Sequence, residues 1–458
     1  MSQLVSSIEH RDIASVMHGY TNLVAHQKSG PMVIESGDGI YVKDTAGRRY
    51  LEAMSGLWSV SLGFSEPRLV AAATRQLSRL PYYHNFNSKS HSALVDLAEK
   101  LVNMAPVPMA KAYFANSGSE ANDSVIKMIW YRSNALGQPK RKKIISRQRA
   151  YHGVTIASAS LTGLPNNHRS FDLPLPNFLH VGCPHYWREA KPDESEEAFT
   201  TRLAAELEAT IIKEGPETIA AFFGEPLMGA GGVVVPPRSY WHKIQEVLTR
   251  YDIVLVADEV ICGFGRTGKM FGCETYAIRP DVMVVSKQLS SCYIPISAVL
   301  VNEKFFTPIA AESDRIGTFG HGFTGGGHPV AAAVSLEVLK IIEERNLVAH
   351  AAKVGEYMQA QLRSLVEHPL VGEVRGVGLI AALEVVTDKR TKKAGATPGQ
   401  LGALVNQMLT DRGCISRNMV DAMAFCPPLI ITEEQVDEMV GLVRGALDDT
   451  LARLKMVA

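Results

Sequence analysis

The spacing of hydrophobic and polar positions changes twice along this chain and divides it into three parts. Between residues 33 and 52, short apolar runs are broken by turn signals at Gly37-Asp38-Gly39 and Ala46-Gly47, which predicts a small antiparallel sheet. From about residue 60 to 325, helical patterns alternate with short apolar runs. These runs predict strands at 111–115, 143–146, 218–223, 253–257 and 282–285. Such alternation indicates an α/β fold whose mainly parallel sheet is covered by helices on both faces.

The pattern changes again after His328-Pro329. Two long helical patterns, 329–344 and 347–366, are followed by predicted strands near 371–386 and 423–426. The last helix begins at a capping-box pair, Thr432 and Gln435. We therefore expect a smaller α+β domain built from both ends of the chain. The predicted parts are 1–59 (N-terminal segment of the small domain), 60–327 (large domain) and 328–458 (C-terminal small domain).

Composition narrows the function classes. The 458 residues contain 47 Lys plus Arg and 47 Asp plus Glu, so the net charge of zero favours neither nucleic acid nor anionic lipid as a partner. Residues 1–11 show no signal-peptide pattern, and no run approaches about 18 apolar residues. We expect a soluble, cytoplasmic protein with no membrane contact. The six cysteines lack the short paired spacings of metal or redox sites, so we expect reduced thiols and no metal.

Two predicted strands end in ionisable side chains. The apolar run 254–257 is followed by Asp258 and Glu259, and the run 282–285 by Ser286 and Lys287. The carboxyl ends of parallel strands are where open α/β sheets bind ligands. A lysine directly after a buried strand is costly unless its charge is paired or removed. The alternatives are a helix cap or metal ligand for the carboxylates, and a lysine that reaches solvent.

A third feature is a strand that runs through small residues into a helix, at Ala115-Asn116-Ser117-Gly118-Ser119. The free N–H groups at a helix start suit an anion such as phosphate. The alternative is an ordinary serine-capped helix.

These three features, in this order, resemble the class III (omega) aminotransferase family, and the likeness extends over nearly the whole chain. Further similar stretches are 54–58, 151–153, 224–232, 320–324, 327–329 and 374–379. The resemblance implies a fold-type I enzyme that depends on pyridoxal 5'-phosphate (PLP), with a seven-stranded sheet in its large domain.

The resemblance also assigns residues to the cofactor. Lys287 would hold PLP as a Schiff base and shuttle protons, and Asp258 would keep the pyridine nitrogen protonated. Gly118 and Ser119 would bind the phosphate, with Thr324 reaching it from the neighbouring subunit of a homodimer, possibly within a tetramer. Tyr151 and Val260 would cover the two ring faces, and Glu225 would lie beside the ring as a hydrogen-bond partner or as a buried structural carboxylate.

The substrates implied are a small-molecule amine donor and a keto-acid acceptor. Arg417 would clamp the acceptor's carboxylate, as for pyruvate. The expected pocket wall is Tyr20, Leu57, Trp58, Phe86, Tyr151 and Ala230, which favours a hydrophobic or aromatic amine. The chain departs from the family pattern at Ser286, Gln288 and Gly325, and none of these departures removes a catalytic group.

Three functions are compatible with the residues. The first is an amine:pyruvate-type transaminase with a ping-pong cycle, which the two-substrate use of Arg417 favours. The second is a PLP-dependent aminomutase, racemase or decarboxylase on the same scaffold. The third is a non-enzymatic regulator that keeps the fold, which the presence of Lys287 and Asp258 and the lack of a DNA-binding extension disfavour.

Overall fold

The computed structural model describes residues 7–457. Residues 1–6, which belong to the stretch without a signal-peptide pattern, lie outside the described residues. The helices are α1 Ile8–Ser15, α2 Leu23–Ser29, α3 Ser55–Trp58, α4 Pro67–Arg79, α5 Ser92–Met104, α6 Gly118–Ala135, α7 Ile156–Leu161, α8 Tyr186–Glu189, α9 Glu196–Glu214, α10 Tyr240–Arg250, α11 Gly272–Tyr276, α12 Glu303–Ile316, α13 Pro329–Glu344, α14 Leu347–Arg363, α15 Gln400–Asp411 and α16 Glu433–Val457. The strands are β1 Ile34–Asp38, β2 Tyr41–Asp44, β3 Arg49–Glu52, β4 Lys111–Ala115, β5 Lys143–Arg147, β6 Phe178–Val181, β7 Ile219–Gly224, β8 Val254–Asp258, β9 Val282–Val285, β10 Ser297–Val301, β11 Val371–Val377, β12 Ile380–Val385, β13 Cys414–Ile415, β14 Arg417–Met419 and β15 Ala422–Phe425.

A seven-stranded sheet in the order β4-β10-β9-β8-β7-β5-β6 forms the centre of the molecule. Only β10 runs against its two neighbours, and the other pairings are parallel. All five predicted strands of this region are confirmed to within a residue at each end. The α/β class with a mainly parallel sheet is confirmed.

Both faces of this sheet are buried, which explains why its strands read as continuous apolar runs. Val256 and Val284 pack with α6 on one face. Their neighbours Leu255 and Met283 point to the opposite face and pack in a larger cluster that contains much of α13. Because successive strand residues alternate between faces, a strand covered on both sides has no polar position until it ends.

The two ends of the chain share a second core. Strands β1, β2 and β3 form the predicted antiparallel sheet, and β13 from near the C-terminus extends it by pairing with β3. Ile40 and Leu51 pack in one cluster with Leu383 and Val443. A further antiparallel sheet, β11-β12-β15-β14, lies in the C-terminal part. The domain boundaries at 59/60 and 327/328 stay predictions.

Local signals in the C-terminal part are also confirmed. The Thr432 N–H donates to Gln435 Oε1 at 3.0 Å and the Gln435 N–H to Thr432 Oγ1 at 3.3 Å, which is the predicted capping box. Helix 329–344 is confirmed, whereas the helix predicted to 366 ends at Arg363 and continues as a tighter turn. Within residues 7–457, no helix is both long and apolar enough to span a bilayer. All six cysteines are free thiols, and only Cys292 is exposed.

Candidate active site

Lys287 lies at the carboxyl end of β9, where the chain leaves the sheet. Its backbone has a left-handed φ of 42°, and the following residues form a single tight turn. Burial is the main cause that lowers the pKa of Lys287 from 10.5 to about 8. An amine with this pKa is partly neutral near pH 7, and it can act as a nucleophile and accept a proton.

Asp258 ends the neighbouring strand β8 and is held by three hydrogen bonds. Its Oδ2 accepts from Asn122 Nδ2 at 2.9 Å and from His152 Nδ1 at 2.8 Å, and its Oδ1 accepts from the Val260 N–H at 3.1 Å. The carboxylate is 3% exposed. Donors on both oxygens fix the orientation of this carboxylate. This is the anion that a protonated pyridine nitrogen requires.

The start of α6 lies beside this carboxylate and has the geometry of a phosphate site. Ser117 caps the helix, so Gly118 and Ser119 form its first turn. A Cβ on Gly118 would lie 3.2 Å from Val260 Cγ2, so these two predicted cofactor residues are in contact. The Ser119 hydroxyl accepts from the Val154 N–H at 3.1 Å. Together with buried Lys287 and Asp258, this helix start fits PLP.

A cavity of about 500 Å³ opens onto Lys287. Arg417 lies on its wall at the start of β14, with its guanidinium 5.8 Å from the centre of the Tyr20 ring. Burial raises the pKa of the Tyr151 phenol. The lining residues are Gly19, Tyr20, Met54, Gly56, Leu57, Trp58, Tyr151, Leu164, Ala230, Lys287, Ile415, Ser416 and Arg417.

The buried carboxylates of Glu225 and Glu259 accept hydrogen bonds from backbone N–H groups. Glu225 accepts the N–H groups of Tyr151 at 3.0 Å and of Gly229 at 2.8 Å. Glu259 accepts the N–H groups at the start of α11, at 2.9 and 2.6 Å. Burial raises the pKa of Glu225, and it raises that of Glu259 to about 7. Glu225 therefore supports Tyr151 and the loop that carries Ala230.

The glycine-rich loop 262–268, which follows β8, packs closely on the C-terminal part of the chain. Gly268 lies against the backbone of Ala352, and Gly378 lies against the backbone of Thr267. The buried Arg266 guanidinium donates to the Leu379 carbonyl at 2.9 Å. These glycines are required because this loop packs closely on the C-terminal part of the chain.

Of the predicted pocket-wall residues, Phe86 is absent from the cavity wall within one chain, and so is Thr324, which the resemblance assigns to the neighbouring subunit's cofactor. Tyr82 Oη donates to the Thr324 carbonyl at 2.9 Å, and a Cβ on Gly322 would lie 2.7 Å from the Phe86 ring. The segments that carry Phe86 and Thr324 therefore pack on each other rather than on the lining residues.

The three departures from the family pattern have local explanations. The Ser286 hydroxyl donates to the Ile296 carbonyl at 2.9 Å, and Gln288 Nε2 donates to the Ile261 carbonyl at 2.6 Å. A Cβ at Gly325 would lie 2.8 Å from the Asn116 side-chain oxygen, so a side chain there would require Asn116 to move. Ser286 and Gln288 thus tie the segment around Lys287 to neighbouring loops.

Sequence reasoning missed the roles of Asn122 and His152. Asn122 follows Gly118 by four residues and so lies on the same face of α6, one turn later. His152 follows Tyr151 directly. Both positions were visible in the sequence, but nothing in it showed that they converge on the Asp258 carboxylate.

Comparisons with known proteins identify the family. The model of the family described as aminotransferase class-III matches residues 23–447. The omega transaminase of Pseudomonas jessenii, solved in complex with PMP, is 59% identical, covers 97% of this chain and 98% of its own, and superposes with a TM-score of 0.97. A transaminase solved with L-alanine is 67% identical over 92% of this chain and all of its own, with a TM-score of 0.92.

Relatives known by sequence are also similar. A probable gamma-aminobutyrate transaminase from Oryza sativa subsp. indica, named as mitochondrial, is 48% identical over 93% of this chain and 83% of its own length. The family match covers most of the chain, and the residues at the strand ends fit PLP. This chain belongs to the class III aminotransferase family and is a PLP-dependent aminotransferase.

Proposed function

We propose that this enzyme transfers an amino group from an amine or omega-amino acid to a keto acid such as pyruvate in a ping-pong cycle. One observation carries the proposal. The described residues that line the cavity include two cations, Lys287 and Arg417, and no carboxylate, while most of the remaining wall is apolar. Such a pocket accepts an uncharged organic group and has one fixed partner for an acceptor's carboxylate.

The residues of this chain divide the chemical work. PLP, when bound, supplies an electron sink for the carbon that loses its proton. The Lys287 Nζ anchors the cofactor and, once released, accepts and returns the proton of the substrate carbon. Asp258 would pair with the protonated pyridine nitrogen of PLP. Asn122 and His152 hold the Asp258 carboxylate in the orientation for this contact. The burial of Asp258 strengthens its charge interactions.

Arg417 decides which substrate fits at each half of the cycle. A keto acid presents a carboxylate that the planar guanidinium can bind in bidentate fashion. When a donor without a carboxylate is bound, the guanidinium can rest against the Tyr20 ring, which lies 5.8 Å from it. L-alanine in the similar solved transaminase supports pyruvate as the acceptor.

The apolar wall supports a hydrophobic or aromatic donor. Trp58 is buried, whereas Leu57 is 57% exposed and Tyr20 65% exposed. Ala230 leaves space beside Tyr151. A gamma-aminobutyrate donor carries a carboxylate of its own that would need Arg417 in the first half of the cycle, whereas an aromatic amine would not. The donor preference therefore distinguishes the activities named for the gamma-aminobutyrate transaminase and the omega transaminase relatives.

We further propose that a second copy of the chain completes the site. Phe86 and Thr324 lie in segments that contact each other outside the cavity. Phe86 is 39% exposed and its neighbour Tyr83 similarly so, as expected for residues that a partner covers. In the dimer, Thr324 would reach the phosphate group of the PLP bound in the partner subunit.

Half-reactions test the ping-pong proposal. The PLP-loaded enzyme with a 1-arylalkylamine alone should release one equivalent of aryl ketone per site, and pyruvate added after removal of the amine should yield one equivalent of alanine. A panel of taurine, β-alanine, gamma-aminobutyrate and diamines would then rank the donors. Carbon dioxide release, or product formed only when both substrates are present, would contradict the proposal.

Arg417→Leu tests the acceptor site. The KM for pyruvate should rise about tenfold or more, because a charge-assisted bidentate contact contributes about 1.5–3 kcal/mol, while the KM for an uncharged amine should change little. Arg412→Leu is the matched control, since Arg412 pairs with Asp449 at 2.7 Å and does not line the cavity. Equal effects of Arg417→Leu on both KM values would refute the assignment.

A further inference from the structure

The N-terminal helices bring three potential metal ligands together. Asp12 lies on α1, His26 lies on α2, and His18 lies in the connection between them. The Nε2 atoms of His18 and His26 lie 2.8 and 3.2 Å from the same oxygen, Asp12 Oδ1. The two imidazole rings are 4.3 Å apart. His26 is buried, and Asp12 and His18 are partly buried.

These three atoms have nearly the separations of a tetrahedral metal site. Metal–nitrogen and metal–oxygen distances of about 2.0–2.2 Å imply ligand–ligand distances of about 3.3–3.5 Å. The three ligand atoms all lie within 4.8 Å of one another. The His18–Asp12 distance of 2.8 Å would need to open by about 0.5–0.7 Å and the His26–Asp12 distance of 3.2 Å by about 0.1–0.3 Å, and solvent at partly exposed His18 could supply a fourth, water ligand.

The ligand set selects the class of metal. Two imidazoles with one carboxylate suit zinc, cobalt or nickel, whereas calcium and magnesium prefer oxygen ligands only. Within residues 7–457, these two histidines are the only ion-pair partners of Asp12. By contrast, the two carboxylates in the cluster of His185, Glu373 and Glu384 are already paired with two arginines: Arg375 lies 2.6 and 2.7 Å from them, and Arg188 lies 2.7 Å from Glu384.

The cluster of Asp12, His18 and His26 joins the two helices on either side of a segment that reaches the active site. Residues 16–22 connect α1 to α2 and carry Tyr20 into the cavity wall. Tyr20 has a left-handed φ of 51°, and its hydroxyl accepts from Asn167 Nδ2 at 2.6 Å. A metal held by Asp12, His18 and His26 would connect both ends of this segment and restrict the positions of Tyr20.

We propose that Asp12, His18 and His26 bind one divalent transition-metal ion of the zinc class, and that this ion holds the Tyr20 segment against the substrate pocket. The binding itself is independent of the proposed donor and acceptor. Only its expected effect on the amine KM rests on the proposed function.

Cobalt(II) absorption tests the binding without turnover. Untagged PLP-loaded enzyme should bind one Co²⁺ per chain with the visible absorption of a four- or five-coordinate ion, and Zn²⁺ should displace it. His18→Asn and His26→Asn should each weaken Co²⁺ affinity at least tenfold, since even loss of a group behind a ligand costs about 10–100-fold. His10→Asn is the matched control, because His10 is exposed, lies on α1 like Asp12, and is not part of the cluster.

Metal binding and its effect on Tyr20 are contradicted by different results. Unchanged Co²⁺ spectra in both His18→Asn and His26→Asn, or equal loss in His10→Asn, overturn the site. Because His26 is buried and its variant can fail to fold, the partly exposed His18 keeps the test decisive, with circular dichroism and cofactor absorbance as folding checks. Cys292→Ser excludes binding at the exposed thiol. Specific binding that leaves the amine KM within twofold overturns the effect on Tyr20.

Discussion

The buried amine of Lys287 should cost the cofactor-free protein stability that Lys287→Met would restore. Burial lowers the pKa of this lysine from 10.5 to about 8. Each pKa unit corresponds to about 1.4 kcal/mol, so burying the charged amine costs about 3 kcal/mol at pH 7. Methionine has a similar length and no charge, and should remove this cost while abolishing turnover.

The pH dependence distinguishes this cause from better packing. Between pH 8 and 10.5 the unfolded chain holds the lysine proton and the folded chain does not, so the stability of the unsubstituted protein rises with pH in that range. The advantage of Lys287→Met should therefore be complete below about pH 8 and should vanish by about pH 10.5.

Thermal melting of the cofactor-free proteins measures the effect. With an unfolding entropy of about 2.1 cal/mol/K per residue, 3 kcal/mol corresponds to about 3 °C for a chain of this length. Lys353→Met is the control, because the Lys353 side chain is 80% exposed and its substitution should shift the melting temperature by less than about 1 °C. An equal melting temperature for Lys287→Met, or an advantage that persists at pH 10.5, would refute the reasoning.

Three further substitutions test the surroundings of the site. Asn122→Leu removes one donor to the Asp258 carboxylate, and kcat/KM should fall at least about tenfold because a hydrogen bond to a buried charge contributes about 1.5–3 kcal/mol; unchanged steady-state kinetics would contradict this. In Gly153→Ala the new Cβ would lie 2.6 Å from Ser119 Oγ, so PLP affinity, followed by fluorescence titration of the cofactor-free enzyme, should drop severalfold. Glu225→Gln leaves one of two backbone N–H groups without an acceptor, and chemical denaturation should show a loss of about 1–3 kcal/mol.

The central sheet was predictable because its strands obey a local rule. A strand buried on both faces must be apolar throughout, and a polar side chain can appear only where it ends. The runs before Asp258 and Lys287 follow this rule, so both strands and the positions of these two residues along them are visible in the sequence. Their chemical roles came from the family resemblance, since a lysine at a strand end more often reaches solvent.

The contacts around the carboxylate could not be predicted. Asn122 and His152 are 136 and 106 residues from Asp258 in sequence. Packing of α6 on the central sheet brings Asn122 to this carboxylate, and the loop between β5 and α7 brings His152. For Phe86 and Thr324 the difficulty is the reverse. The family resemblance assigns both residues to the site, but within one chain neither lines the cavity. A sequence motif can name the residues of an active site. Whether one chain or two chains build that site depends on the contact surfaces between subunits, which a local sequence pattern does not describe.

Chemistry and substrate choice are built by different parts of the molecule. Lys287 and Asp258 follow central strands whose backbone is fixed by hydrogen bonds on both sides. Much of the pocket wall comes instead from Tyr20, from Trp58 and its neighbours, and from Arg417, which belong to the terminal segments. A substitution in the wall can therefore change the amine accepted without moving the groups that hold the cofactor. The same separation explains why the central strands identify the reaction while the identity of the donor depends on short, irregular segments.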